Sequence, residues 1–402
     1  MIENVSNQNS TNIPINFDNT EIAFRGKSDA ELHQSYKLFK LINNPLMAKI
    51  GPAVTSFALK MGLPIGGLIK KTIFRQFCGG ESVEECDPVI AKLWERNVGT
   101  ILDYSVEGQQ DEESYRMTTA EVIKNLQRAA SDDRIPFTVF KLSGLARVEL
   151  LEKISAGSDL SAAEETEYFK VKGRVNNICK TAYDLEVSVM IDAEESWIQK
   201  AIDSLVIETM QLYNLEKAIV YNTYQLYRTD GLITLKDHYT QAKTYGFILG
   251  AKLVRGAYME KERERAQTLK HPSPIHLTKT ETDNDYNSAL KFCIHHYENV
   301  ATVAGTHNEE SCRVMVGLIK DSLVPFNHSH VYFSQLLGMS DNLSFNLSDA
   351  GFNVAKYVPY GPLKAVLPYL FRRAEENTAI SGQMGRELSL IIAERKRRGL
   401  HS

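Results

Sequence analysis

The sequence predicts an α/β fold: a (β/α)8 barrel of the TIM type, preceded by an N-terminal helical region and with the last helix over the barrel mouth. Three observations carry this. From about residue 98 onward, short β-branched and apolar runs alternate with longer stretches of helical periodicity, as in a parallel sheet. Eight such units occupy ~280 residues, near the ~250 usual for a closed barrel. The strand ends carry Asp103, Lys141, Asp192, Asn222 with Tyr224, Arg255, His307, Gln335 and Tyr357. Such residues are costly to bury singly but natural around one cleft at the C-terminal face of a barrel. A doubly wound open sheet is the competing architecture, and no GxGxxG follows any candidate strand to favour it.

Taken in order, the chain divides into a polar tail over 1–20, a helical region over 21–95 and the barrel over 96–402. The Asn-rich tail has neither the apolar run of a signal peptide nor the Arg-rich bias of a transit peptide, and reads as disordered. Residues 32–80 contain no Asp or Glu before Glu81, while Lys37, Lys40, Lys49, Lys60, Lys70, Lys71 and Arg75 fall there among many apolar residues. This segment either lies on an anionic membrane surface or packs on the barrel with its lysines at the rim. The basic end, Arg395 to Arg398, is a second basic patch or a solvated terminus.

The strands are expected at 99–104, 137–142, 187–191, 217–222, 249–254, 300–305, 330–333 and 353–358, with clear helical periodicity at 196–210 and 284–297 between them. The last barrel helix spans 361–377. Pro362 suits its first turn, whereas Pro368 implies a kink or a fresh start.

With 402 residues, 24% charged and 43% hydrophobic, the composition is that of a globular protein. A net charge of −4 gives no reason to expect nucleic-acid binding. The five cysteines show no CxxC and no metal-like spacing to histidines, so reduced thiols in a cytoplasmic protein are the expectation. No apolar stretch approaches the ~20 residues of a membrane span.

Several groups suggest chemistry. On a helix, Tyr369, Arg372, Arg373 and Glu376 share one face. Paired arginines beside an aromatic ring can grip a small anion with an apolar body, the rigid guanidinium fork suiting a carboxylate; a solvated, charge-laced helix is the alternative. In 252–258 (Lys-Leu-Val-Arg-Gly-Ala-Tyr), Lys252 and Val254 point one way and Leu253 and Arg255 the other, unless the strand end is irregular. Gly256 would let backbone approach a ligand closely. Lys141 and Asp192, on neighbouring strand ends, can form a partly buried ion pair.

These segments, together with Asp192-Ala193-Glu194, Gly305-Thr306-His307-Asn308, Tyr357-Val358-Pro359-Tyr360-Gly361-Pro362 and the run from Tyr369 to Asn377, resemble the proline dehydrogenase family over roughly residues 95–400. The pattern looks most like the single-function members, since no aldehyde dehydrogenase region follows. The resemblance implies an enzyme that oxidises L-proline to Δ1-pyrroline-5-carboxylate by hydride transfer to N5 of FAD and passes electrons to quinone. It implies Asp192 and Lys252 at the catalytic centre, and Lys141, Tyr258, Tyr357, Tyr369, Arg372, Arg373 and Glu376 around the substrate. Ala193, Asn222 (or Gln225), Arg255, Gly256, Ala257, Thr306, His307 and Gln335 would contact the cofactor. Relative to the commonest family pattern, the cations at 252 and 255 are exchanged. Tyr357 would crowd a 4-hydroxyl, favouring proline over hydroxyproline. A dehydrogenase of hydroxyproline or another cyclic amine, and a non-catalytic proline-sensing or membrane-binding protein, are the alternatives. Membrane contact through 32–80 would put the enzyme at the inner face of the membrane, near quinone.

Overall fold

The computed structural model describes residues 15–43, 66–106, 111–379 and 383–400, with backbone alone for 374–379, 383 and 384. Eight parallel strands close into a barrel in sequential order: β1 (Val98–Tyr104), β2 (Phe137–Lys141), β3 (Ser188–Asp192), β4 (Val220–Gln225), β5 (Leu249–Val254), β6 (Val300–Gly305), β7 (Val331–Leu336) and β8 (Val354–Tyr360). β8 closes on β1 along its whole length, from Val98 beside Val354 to Tyr104 beside Tyr360. The fold class read from the sequence is therefore correct.

Before the barrel lie α1 (Thr20–Phe24), α2 (Asp29–Ile42), a helical run made of Gly66–Ile69, a π-helical Lys70–Phe74 and Arg75–Phe77, and α3 (Asp87–Trp94). The barrel helices are α4 (Glu112–Ala130), α5 (Val148–Ser155), α6 (Ala162–Asp184), α7 (Ser196–Tyr213), α8 (Gly231–Tyr245), α9 (Met259–Leu269), α10 (Lys279–His295), α11 (Glu309–Asp321), α12 (Asp341–Asp349) and α13 (Leu363–Ala379). Helix α14 (Gln383–Arg397) follows. Local sequence starts several of these. Ser28 with Glu31, Ser161 with Glu164 and Thr278 with Glu281 form reciprocal capping boxes at α2, α6 and α10. Helix α7 has no cap of its own; the buried Glu262 of α9 accepts from both the Ser196 amide and hydroxyl at 2.6 Å.

Strand parity sorts the core into two layers. Ile101, Phe137, Val139, Met190, Tyr221, Val303 and Tyr357 fill the barrel interior, and a larger apolar layer separates the strands from the helices. A third cluster joins the two ends of the chain: Phe24, Leu32, Phe39, Ile69, Phe74 and Phe77 pack with Leu367 and Leu370 of α13 and Leu390 and Ile391 of α14. The described part of 32–80 thus packs on the barrel assembly, while Lys37, Lys40, Leu41, Leu68, Lys70, Lys71 and Arg75 stay exposed. Lys49 and Lys60 lie outside the described residues.

Two expectations change. Residues 1–14 of the expected tail lie outside the described residues, but Phe17 is wholly buried in the core and Asn19 caps α1, so 15–20 belong to the folded assembly. The basic end is no solvated terminus: Arg398 donates to the carbonyls of Phe24 (2.8 Å) and Lys27 (2.7 Å), and buried Glu394 holds Arg397 and Arg398. Helix α13 runs through Pro368 without interruption.

Candidate active site

Tertiary pairing moves one strand, and with it one site residue. The segment 217–219 is drawn into the turn before β4, because the Asn214 amide accepts from Ile219 and Val220 and donates to the carbonyls of Val220 and Ile248. β4 therefore begins three residues later than expected. Alternation from inward Tyr221 sets the faces of the residues that follow. Asn222 points outward into the helix layer, where its Nδ2 donates to Asp203 of α7 at 2.8 Å. Gln225 shares the inner face with Tyr221, and its Nε2 donates to the Glu194 carbonyl at 2.7 Å. Gln335 likewise stands on the outward face of β7, receiving the Ser344 hydroxyl and donating to the Thr306 carbonyl at 3.1 Å. It braces the β6 end from behind, and neither it nor Asn222 faces the mouth.

At the inner mouth, Lys252 of β5 reaches across to β3 and β8. Its ammonium pairs with Asp192 and donates to the Tyr357 hydroxyl at 2.5 Å; that hydroxyl lies 3.4 Å from Asp192 Oδ1. Lys252 and Tyr357 are buried, and the Asp192 side chain keeps only 14% exposure. Burial, with Asp192 and Asp103 nearby, holds the Tyr357 hydroxyl far above its ordinary range, so it stays protonated. Lys141 stands beside Asp192 in register. Its charge is felt by Asp103 and Glu194, whose carboxyls burial pushes up, that of Glu194 to about 7. The Ser143 amide donates to Glu194 at 2.9 Å and the Ser143 hydroxyl bonds it as well, which ties the β2 loop to the β3 loop. Asp192 thus pairs with Lys252 of β5 and stands in register with Lys141 of β2.

Arg255 follows β5 and turns to the rim, as parity requires. It spreads its guanidinium over Asp283 (2.7 Å), Thr306 (2.8 Å) and Ser311 (2.9 Å) and lies on the Tyr286 ring. Gly256 has φ 136°, and a Cβ there would fall 2.4 Å from the Tyr227 ring. Packing against Tyr227 is thus one reason for glycine at that position. Ala257 is exposed. Burial, helped by Lys356, Arg373 and Arg255, lowers the His307 imidazole to about 3, so it is neutral. Its Nε2 accepts from the Leu336 amide (3.4 Å), which leaves the proton on Nδ1, facing the Ser340 hydroxyl at 2.9 Å.

Helix α13 covers this mouth. Tyr369 is buried, the Arg373 guanidinium sits 5.2 Å from the centre of its ring, and Arg373 is itself buried. Arg372 opposes the rise that burial and Glu194, Glu195 and Asp192 impose on the Tyr258 hydroxyl, which puts Arg372 and Tyr258 within electrostatic reach. The side chain of Glu376 lies outside the described residues. Ala193, next to Asp192, is buried. The structure therefore brings together Lys141, Asp192, Lys252, Tyr258, Tyr357, Tyr369, Arg372 and Arg373, with Arg255, Thr306 and His307 along one rim.

The sequence profile described as Proline dehydrogenase matches residues 86–386. The chain belongs to the proline dehydrogenase family. It is 31% identical to "Proline dehydrogenase 1, mitochondrial" of Dictyostelium discoideum, over 98% of this chain and 76% of that one. It is 33% identical to the carbapenem antibiotics biosynthesis protein CarD of Pectobacterium carotovorum, over 80% of this chain and 83% of that protein. Among solved structures, proline utilization A (PutA) of Bdellovibrio bacteriovorus, inactivated by N-propargylglycine, aligns with TM-score 0.69 at 19% identity, covering 90% of this chain and 36% of that one. At that identity the likeness speaks for the fold. As a member of the proline dehydrogenase family the protein is an oxidoreductase.

Sequence reasoning gave no role to Asp283, Ser311 and Tyr286, which anchor Arg255, or to Ser143 and Ser340. Short polar residues on helices and turns carry no pattern that marks them. Gln225, named as the alternative to Asn222, has the inner face.

Proposed function

We propose that this protein oxidises L-proline to Δ1-pyrroline-5-carboxylate with FAD and delivers the electrons to a quinone. The observation that carries the reading is the buried contact of Lys252, Asp192 and Tyr357 beneath the arginines of α13, in a chain of the proline dehydrogenase family. Bound FAD supplies the hydride acceptor, a task no side chain can perform. The donor set fits such a group: Lys252, Arg255, Gln225, Thr306 and neutral His307 offer cations and hydrogen-bond donors to an electron-rich ring and its phosphates. Gln225 replaces Asn222 in this assignment, because Gln225 has the inward face. Arg255, Gly256, Ala257, Ala193, Thr306 and His307 line the cofactor side, and Gln335 acts behind them.

Toward the substrate, Arg372 and Arg373 hold the proline carboxylate, and Glu376 fixes an arginine rotamer. Tyr258, Tyr357 and Tyr369 wall the ring. Lys141 and Asp192 orient the amine and balance its charge, and solvent takes the amine proton. Protonated Tyr357, tied to Lys252, leaves little room for a 4-hydroxyl. This supports proline over hydroxyproline, and Tyr357→Ser should relax the preference.

No described helix is long and apolar enough to cross a membrane. The exposed lysines of α2 and the 66–77 run, with Leu41 and Leu68, support peripheral contact with an anionic bilayer from the cytoplasmic side. Among the described residues a cavity of 1120 Å³ opens beside α13, lined by Leu38, Leu41, Leu68, Ile73, Leu367 and Phe371, and offers a quinone an apolar approach.

The test is the visible spectrum of the purified protein before and after anaerobic L-proline. A flavin band near ~450 nm that bleaches with proline supports the reading. Bleaching by hydroxyproline alone overturns the substrate, and failure to take up FAD overturns the cofactor.

A further inference from the structure

The turn between β7 and α12, residues 337–340, is held from more directions than a surface connection needs. Ser340 has φ 50°, the left-handed region that disfavours residues with a Cβ. Its amide donates to the buried carboxylate of Glu387 on α14, its hydroxyl bonds His307, and its carbonyl accepts from Leu343 (3.0 Å) and Ser344 (3.1 Å). One residue on, the Asp341 carboxylate receives Lys356 from β8 at 2.9 Å and Lys27 from the N-terminal segment at 3.1 Å. Lys356 has no exposed surface, and it also donates to the Met339 carbonyl at 2.7 Å. Gln76 donates to the Gly338 carbonyl at 2.9 Å, and a Cβ on Gly338 would lie 2.0 Å from the Gln76 carbonyl oxygen. Arg398, just past α14, holds the Lys27 carbonyl in turn.

Burying Lys356, Asp341 and Glu387 together is an expensive way to fasten a turn, since each charge must recover its lost hydration from fixed partners. The arrangement makes sense where one position has to be fixed closely. The group fixed is His307: Ser340 receives its Nδ1 proton, and the Leu336 amide, at the start of the same turn, meets its Nε2.

We propose that this turn is the positioning device for His307: the N-terminal segment and α14, by gripping Ser340 and Asp341, set the place and tautomer of the imidazole at the cofactor rim, so that FAD binds tightly only when both terminal elements are docked. This rests on the FAD reading given above. Ser340, Glu387 and Lys27 are positioning residues that act through His307. The helices outside the barrel are on this view part of the cofactor site.

The decisive variant is Ser340→Gly in the full chain. Glycine accepts φ 50° without strain, so the thermal midpoint should hold or rise, while loss of the hydroxyl leaves the buried Nδ1–H without its acceptor. FAD affinity, measured by equilibrium dialysis or quenching of flavin fluorescence, should fall about tenfold, the effect expected of one buried hydrogen bond. Combining it with His307→Ala should add little further, since both changes remove the same interaction. Glu387→Ala should weaken FAD in the same direction and Glu387→Gln should restore it. The proposal is overturned if Ser340→Gly and Glu387→Ala, folded by circular dichroism, bind FAD within twofold of the parent. If the parent protein itself takes up no FAD, the cofactor reading falls first and this inference with it.

Discussion

Breaking the Lys252–Asp192 pair should cost more stability than removing it altogether. The two side chains retain 6% and 14% of their exposure, so solvent screens the pair little. Asp192→Asn keeps the shape but removes the carboxylate that neutralises the ammonium, which keeps its bond to the neutral Tyr357 hydroxyl. Lys252→Met leaves the carboxylate near Asp103, which burial and Asp192 already push toward its neutral form. Removing one member of a buried pair costs about 3–5 kcal/mol, whereas replacing both by neutral groups is often nearly neutral. Each single variant should therefore lose about 3–5 kcal/mol, and Asp192→Asn with Lys252→Met should lose less than either alone. The coupling energy then exceeds about 2 kcal/mol. Guanidinium unfolding of FAD-free protein reads this directly from the midpoints. Proline-dependent bleaching should be abolished in all three variants, so that stability returns in the double variant without activity. Single variants within about 1 kcal/mol of the parent, or additive losses, would refute the assignment of a buried, mutually dependent pair.

Three further outcomes follow from the same geometry. Gly256→Ala places a methyl 2.4 Å from the Tyr227 ring at φ 136°, and should destabilise by about 3 kcal/mol or more; a thermal midpoint unchanged from the parent contradicts this. Arg372→Ala and Arg373→Ala should each raise the KM for L-proline on the order of a hundredfold with FAD content unaltered, as for loss of a charge-assisted bond; equal loss of FAD would assign them to the cofactor. Glu194 and Glu387 are pushed by burial from 4.5 to about 7. A folded-state pKa above the unfolded one means the folded protein holds more protons between those values, so stability falls as pH rises from about 4.5 to 7, by about 3 kcal/mol for each group. Glu387→Gln should flatten its share of that slope in unfolding curves taken across the window. A parent protein whose stability rises steadily through this range would sink the claim.

The barrel was legible because parallel strands buried on both faces and the helices between them leave distinct periods in the chain, and eight of these in a row admit few closures. Asp192 and Tyr357 were legible as polar strand-end residues, and Lys252 through the family resemblance of the 252–258 run. Asn222, taken from the family position with Gln225 as its alternative, turns its side chain to Asp203 of α7, while Gln225 has the inner face, and only the folded strand separates the two. The Lys252–Asp192 pair was also hidden, since it joins β5 to β3 only through the curvature of the closed barrel. The basic end, read as a second basic patch or a solvated terminus, clasps carbonyls of the N-terminal segment, a contact no local pattern encodes.

That clasp has a consequence for how the molecule is made. The bond from Arg398 to Phe24 spans 374 residues, and β1 has no partner on one edge until β8 exists. At ~5–20 residues per second, synthesis leaves the β1 edge open for roughly 13–51 s and the apolar face of α2 for roughly 18–71 s before β8 and α14 are made. Open strand edges recruit other chains, and contacts so distant along the polypeptide form late. Yield during production should therefore respond to slower growth temperatures and to chaperone supply more than to any change in the finished fold, and a lesion in α14 should surface as insoluble nascent protein before it surfaces as a weakened enzyme.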